Sequence, residues 1–206
     1  MDLFTTSNTP NILPFDGEAI FYGRILNKKM CTYYYQVFMG SIHWKNDETV
    51  IFGKRIVTDR KVAWYGARTF SYTYSNSLKV ANLWTAELLE LKGLIERITG
   101  ETYNSCLLNL YHDGNEGMGW HSDGEKEMKK QGAIASLSLG AERKFVFKHK
   151  ETKQTVDLVL LKGSLLVMKG TTQQYWLHSL PKTKKITTPR INLTFRTVDY
   201  KKSLSV

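Results

Sequence analysis

Apolar positions along the chain follow two rhythms. Between Lys28 and Ile42, residues Met30, Tyr34, Val37 and Phe38 recur at helical spacing behind Asn27, a residue type that caps helix starts, and predict a helix. A second stripe of Trp84, Leu88, Leu91, Leu94, Ile95 and Ile98 predicts a helix over 81–98 that stops at Gly100. Each helix has one apolar face, so both must lie on something larger. Elsewhere the elements are short and strand-like: TVIFGKRIV, RTFSYTYS, SCLLNLY, GAIASLSLG, RKFVFKH, QTVDLVLL, GSLLVMKG and RINLTFRTV, separated by turns. Regularly spaced strands without helices between them predict an antiparallel sandwich or barrel. The composite is a mainly β, α+β fold with helices buttressing one face.

With 206 residues, 42% of them apolar, and no repeat or low-complexity linker, one domain over 18–206 is expected behind a loosely held segment 1–17. No apolar run approaches the roughly 18 residues of a membrane helix, and the N-terminus lacks the basic-then-apolar order of a signal peptide. Cys31 and Cys106 are too few for a disulfide framework and lack metal-ligand spacing, so both are expected to be packing residues. An intracellular location follows, cytoplasmic or nucleoid, or nuclear in a eukaryote. Lys and Arg number 29 against 19 Asp and Glu, a net charge of +10 that favours a polyanionic partner over a merely basic surface only weakly. Cations cluster at Lys54, Arg55, Arg60 and Lys61, at Lys126, Lys129 and Lys130, and at Lys182, Lys184 and Lys185. No protein partner is evident, and a monomer is the default.

Candidate chemistry begins at WHSDGE, where His121 and Asp123 follow the strand SCLLNLY and a glycine-rich stretch. Alone this pair is a weak signal. His178, in QQYWLHSL, lies far enough downstream for strands to return to the same end of a barrel, although a packed strand histidine is the competing reading. Two histidines and a carboxylate form a facial set that leaves iron positions open for a bidentate co-substrate and dioxygen. In PRINLTFR, Arg190, Asn192 and Arg196 point to one face of a strand, opposite Ile191, Leu193 and Phe195. Arginines aimed at a β-core are costly unless anions meet them. A dicarboxylate held by the metal at one end and by a guanidinium at the other would do so; a salt-bridged edge strand is the alternative.

NLYHDGNEGMGWHSD, IASLSLGAERKFVFKHK, GSLLVMKG, WLHSLPKT and PRINLTFR together resemble, in order and spacing, the AlkB family of iron(II)- and 2-oxoglutarate-dependent nucleic-acid dealkylases, over about residues 50 to 198. The resemblance implies a double-stranded β-helix, or jelly-roll, core over 101–200 and a nucleotide-recognition lid with buttressing helices over 18–100. It implies His121, Asp123 and His178 as ligands of Fe(II), and Asn109, Tyr111, Arg190, Asn192 and Arg196 as the holders of 2-oxoglutarate, with dioxygen as second co-substrate. The implied activity is oxidative demethylation of 1-methyladenine and 3-methylcytosine in DNA, or RNA, with release of formaldehyde. An oxygenase of the same kind acting on a protein or small molecule keeps every ligand and is the alternative.

The resemblance extends to substrate contacts. YTYS matches the aromatic stretch where the damaged base enters: Tyr74 would stack on the base opposite His121, with Tyr72 and Ser75 at its polar edge. Glu125 resembles the carboxylate that faces the exocyclic amine, suited to the cationic methylated bases. Phe52, in VIFGKR, matches a hydrophobic finger that fills the gap left by an extruded base. Ordinary core packing of that phenylalanine is the competing reading.

Overall fold

A computed structural model of the chain describes residues 10–51, 54–69, 71–74 and 77–200, apart from the side chains of 49–51, 54–56, 71–74 and 77–79. In chain order the elements are β1 (Glu18–Arg24), α1 (Lys28–Ser41), β2 (Lys45–Ile51), β3 (Lys54–Gly66), β4 (Ser71–Tyr74), β5 (Ser77–Val80), β6 (Asn82–Leu83) and α2 (Ala86–Thr99). They continue as β7 (Ser105–Tyr111), β8 (Met118–His121), β9 (Ile134–Gly140), β10 (Arg143–His149), β11 (Thr155–Leu160), β12 (Ser164–Lys169), α3 (Thr172–Tyr175), β13 (Trp176–Leu180) and β14 (Arg190–Arg196). The large sheet runs β1-β12-β9-β14-β7-β3-β2, with β6 parallel to β3. A second sheet runs β11-β10-β13-β8. Strands β7 to β14 thus divide between the two sheets as a double-stranded β-helix, the expected jelly-roll.

The helices form where expected, with shifted edges. The Asn27 side chain accepts from the Met30 N–H at 2.9 Å and starts α1, whose buried stripe is Cys31, Tyr34 and Phe38. Met30 and Val37 only flank it. Helix α2 begins at Ala86 rather than 81, because Asn82 and Leu83 pair with β3 and the Thr85 hydroxyl caps the Leu88 N–H. Its end at Gly100, left-handed at φ 71°, is as expected.

Three other expectations change. The stretch 49–57 is not one strand but the two arms of the β2–β3 hairpin, with Ile51 paired to Lys54. The continuation of β3 beyond Val57, the bulged β1 and the glycine-containing β8 have little alternation to betray them and are absent from the sequence reading. Residues 10–17, expected to be loose, are pinned: Asn11 Oδ1 accepts from the N–H groups of Leu13 and Ala19, Leu13 is buried, and the Phe15 carbonyl accepts from Trp176 Nε1.

Both faces of the large sheet's centre are covered. Cys106, Leu108 and Leu110 on β7, Leu137 and Leu139 on β9, and Ile191, Leu193 and Phe195 on β14 pack with Tyr34, Phe38, Leu88 and Leu91 of the helices. The alternate residues face the second sheet, so this face carries Asn109, Tyr111, Ser136, Ser138, Arg190, Asn192, Thr194 and Arg196. Helix packing on one side therefore fixes the register of the polar side.

Candidate metal and co-substrate site

His121 and His178 are brought together by direct cross-strand pairing of β8 with β13, their ring centroids 4.2 Å apart. Asp123, just beyond β8, places Oδ1 3.8 Å from His121 Nε2 and Oδ2 4.0 Å from His178 Nε2. One ligand atom from each of the three lies within 4.8 Å of the others. The Gly119 carbonyl sits 2.8 Å from His121 Nδ1, which fixes a proton there and turns the Nε2 lone pair inward. Burial pushes His178 down to about 3, so its imidazole is neutral and can donate to a metal. Burial pushes Asp123 upward, but the Arg196 guanidinium outweighs it and holds the carboxyl below its ordinary range. The Gln173 side-chain oxygen accepts from the Asp123 N–H at 2.8 Å, which fixes the turn. Two imidazoles and an ionised carboxylate on one concave face fit a divalent iron.

From this cluster the cavity runs along the inner face of β14. Arg196 Nη2 lies 3.2 Å from Asp123 and Nη1 3.6 Å from Glu125. At the far end Arg190, 2% exposed, donates to the Ser138 hydroxyl at 3.0 Å and the Asn192 side-chain oxygen at 2.7 Å, and its guanidinium lies 5.6 Å from the centre of the Tyr111 ring. Its Nε has no partner, and among the described residues no carboxylate reaches it. Burial lowers Arg190 to about 10. Asn109 stands between the two ends, its side-chain oxygen taken by Arg60, which also pairs with Asp47. The Asn109 side chain lines the cavity. Arg190, Asn192, Arg196, Asn109 and Tyr111 thus line one narrow cavity of about 50 Å³ with the His-Asp-His cluster. A larger cavity of about 400 Å³ opens from Asp123 and Glu125 along the loop before β9, bounded by Lys126, Lys129 and Lys130.

Glu125 is raised by burial, with the Asp123 charge adding to the effect against Arg196, and its Oε2 is buried without a hydrogen-bond donor among the described residues. Tyr72 and Tyr74 lie on β4, with side chains that are not described, and Phe52 and Ser75 fall outside the described residues.

Four polar residues of the site escape a reading of the sequence. Arg60, grouped there with surface cations, is buried against Asp47 and Asn109. Ser136 and Ser138 bond Asn192 and Arg190. Arg143, also buried, donates to the carbonyls of Asp113, Glu116 and Pro181 and so ties the loop before β8 to the segment after β13. Only the alternation in IASLSLG hinted at any of them.

The 2OG-Fe(II) oxygenase superfamily model matches residues 20–196. The chain belongs to that superfamily. Membership implies Fe(II), 2-oxoglutarate and dioxygen, which the His-Asp-His cluster suits. The AlkB resemblance of the motifs is borne out by the relatives. The chain is 40% identical over 156 residues to the DNA oxidative demethylase ALKBH2 of Bos taurus, covering 72% of this chain and 56% of that protein. It is 42% identical over 149 residues to the alpha-ketoglutarate-dependent dioxygenase alkB homolog 3 of Bos taurus, covering 68% and 51%. It therefore spans about half the length of these curated relatives. The solved structure described as OsALKBH1 superimposes with a TM-score of 0.60 at 14% identity, over 87% of this chain and 97% of that one, a likeness of fold. No helix among the described residues is long and apolar enough to cross a membrane.

Proposed function

We propose that the chain is an Fe(II)- and 2-oxoglutarate-dependent dioxygenase that demethylates N-alkylated bases in DNA. The observation that carries the reading is one cavity holding a His-Asp-His cluster at one end and a buried arginine without an anion at the other. A dicarboxylate held by the metal at one end and by Arg190 at the other would meet both needs. His121, Asp123 and His178 would hold the iron, which when bound supplies the activation of dioxygen coupled to 2-oxoglutarate decarboxylation. Arg190 would fork onto the distal carboxylate, and Ser138 and Asn192 keep its guanidinium aimed. Asn109, its oxygen occupied by Arg60, would present N–H donors to the co-substrate, with Tyr111 and Arg196 completing the cradle. Arg196 would neutralise Asp123 and orient Glu125.

The choice of methylated DNA is supported by the relatives named as DNA oxidative demethylases, by the net charge of +10 and by the Glu125 oxygen that lacks a donor. That oxygen would accept from the exocyclic amine of the base, while His121, the most exposed of the three ligands, would form one wall of the base pocket. Tyr74, Tyr72 and Ser75 are proposed for the opposite wall and edge, and Phe52 for the wedge that holds a duplex open. Working as a monomer inside the cell belongs to the same reading.

Mass spectrometry of 1-methyladenine and 3-methylcytosine oligonucleotides, single- and double-stranded, tests it after incubation with the protein, Fe(II), ascorbate and 2-oxoglutarate. The expected result is a loss of one methylene mass with matching succinate. Succinate without any change in the oligonucleotides would instead favour a protein or small-molecule substrate.

A further inference from the structure

Trp120 immediately precedes His121 on β8, and strand alternation sends its side chain to the opposite, outer face of the small sheet. It is 43% exposed, and of the five tryptophans it alone is classed with the exposed side chains. The ring is not a stray apolar residue. Lys148 reaches across β13 from β10 and sets its Nζ 4.1 Å from the ring centroid. Two residues on, Lys150 stands 3.5 Å from the Ser122 hydroxyl, its ammonium fixed by the carbonyls of Gln173 and Gln174 at 2.9 and 2.8 Å. Three residues back, the Lys182 stem packs beside Gly117. Lys148 therefore lies over one face of the indole, and Lys150 stands two residues further along the same rim at Ser122. The nearby Lys144 does not add to them, since Asp157 holds it at 2.9 Å.

We propose that Trp120 is a stacking platform for a nucleotide that flanks the target base, with Lys148 and Lys150 beside it for the neighbouring phosphates. The proposal rests on the nucleic-acid reading above. An exposed aromatic ring accompanied by cations is the chemistry of single-strand binding: an open ring face accepts any base and the ammonium groups track the backbone. Position matters as much as composition. β8 is the edge strand of the small sheet, so it forms a rim between the cavity on its inner face and Trp120 on its outer face. A strand that delivers one base beside His121 and then turns over this rim meets Trp120 next. An acidic peptide would use the lysines but leave the ring face idle.

The test is fluorescence anisotropy of labelled, unmodified single-stranded oligothymidylate against the full chain and its variants. Trp120→Ala should weaken binding about tenfold, a size typical of one lost base-aromatic stack, with an unchanged melting temperature. Trp120→Phe should keep most of the affinity, which separates stacking from any local unfolding. Lys148→Gln should flatten the dependence of log affinity on log salt by about 0.7, the loss of one phosphate contact. Equal binding by Trp120→Ala and the unaltered chain overturns the platform alone. An unaltered chain that binds no oligonucleotide overturns the platform together with the nucleic-acid reading.

Discussion

The two ends of the inner face of β14 carry the same residue type in opposite states. Arg196 meets Asp123 at 3.2 Å and Glu125 at 3.6 Å, so its charge is answered within the protein. Arg190, about 20 Å along the strand, is equally buried but among the described residues meets only a hydroxyl, an amide oxygen and the face of Tyr111. Leaving a cation in that state costs folding free energy unless something anionic arrives. On the proposed function, the difference separates a charge that holds the Asp123 carboxylate in its ionised form from one that would receive a ligand. Identical placement by strand alternation thus leaves two guanidinium groups in different electrostatic states, and the neighbours just beyond β8 and on β9 decide which.

The largest effect should follow from Asp123→Ala, which removes the middle of the three-ligand set and the principal anion of Arg196. Succinate formation and demethylation should both fall to background. In the metal-free protein, stranding a buried partner should cost about 3–5 kcal/mol, read as a lower melting temperature. Turnover at the unaltered rate would break the ligand assignment.

Next in size is a pair of substitutions that should differ in sign. Arg196→Met should destabilise the ligand-free protein, because Asp123 and Glu125 lose their shared counter-charge. Arg190→Met should leave the melting temperature unchanged or raise it, since an unanswered charge is gone. The KM for 2-oxoglutarate should nevertheless rise by roughly 10- to 100-fold, the worth of a charge-assisted contact of about 1.5–3 kcal/mol. Equal destabilisation by the two would erase the contrast between the ends.

A smaller effect concerns pH in the metal-free protein. Burial pushes His178 from 6.5 to about 3 in the fold, so on acidification the unfolded chain takes up a proton that the folded chain refuses. The stability from neutral His178 is complete above pH 6.5 and is lost as pH falls toward about 3, at up to about 1.4 kcal/mol per pH unit. Glu125, raised by burial, acts in the other direction near the carboxylate range, so the slope is cleanest between pH 6.5 and about 5. Denaturant unfolding across that interval should show it in the wild type and lose it in His178→Asn.

How much of this was legible follows from how local each signal is. His121 and Asp123 sit two apart beside a strand that announces itself, and Arg190, Asn192 and Arg196 share a face by alternation alone. That Arg190 and Arg196 differ could not be read, because the Asp123–Arg196 pair joins distant segments. Arg60 was misread for the same reason: three of its near neighbours in sequence are cationic, yet β3–β7 pairing and the turn toward β2 bury it against Asn109 and Asp47. The start of α2 was misplaced because the parallel pairing of β6 with β3 overrides an apolar stripe.

Ser138 gives the finest test of the comparison. Its hydroxyl was hidden inside the apolar run IASLSLG, and only the register that sets Ser138 opposite Asn192 brings it to Arg190 Nη2 at 3.0 Å. In Ser138→Ala the same guanidinium nitrogen keeps its 2.7 Å bond to Asn192, so Arg190 loses one aiming contact while its charge stays. The expected loss is about 0.5–1.5 kcal/mol, a two- to twelvefold rise in the KM for 2-oxoglutarate, with turnover at saturation unchanged. Ser138→Thr, which restores a hydroxyl, should recover part of it if the added methyl is accommodated. In an Arg190→Met background the Ser138→Ala step should have almost no effect on KM, because the group it aims is gone. A full additional loss there would mean that Ser138 touches the co-substrate itself, and the receptor end of β14 would then be a two-residue site rather than one positioned charge.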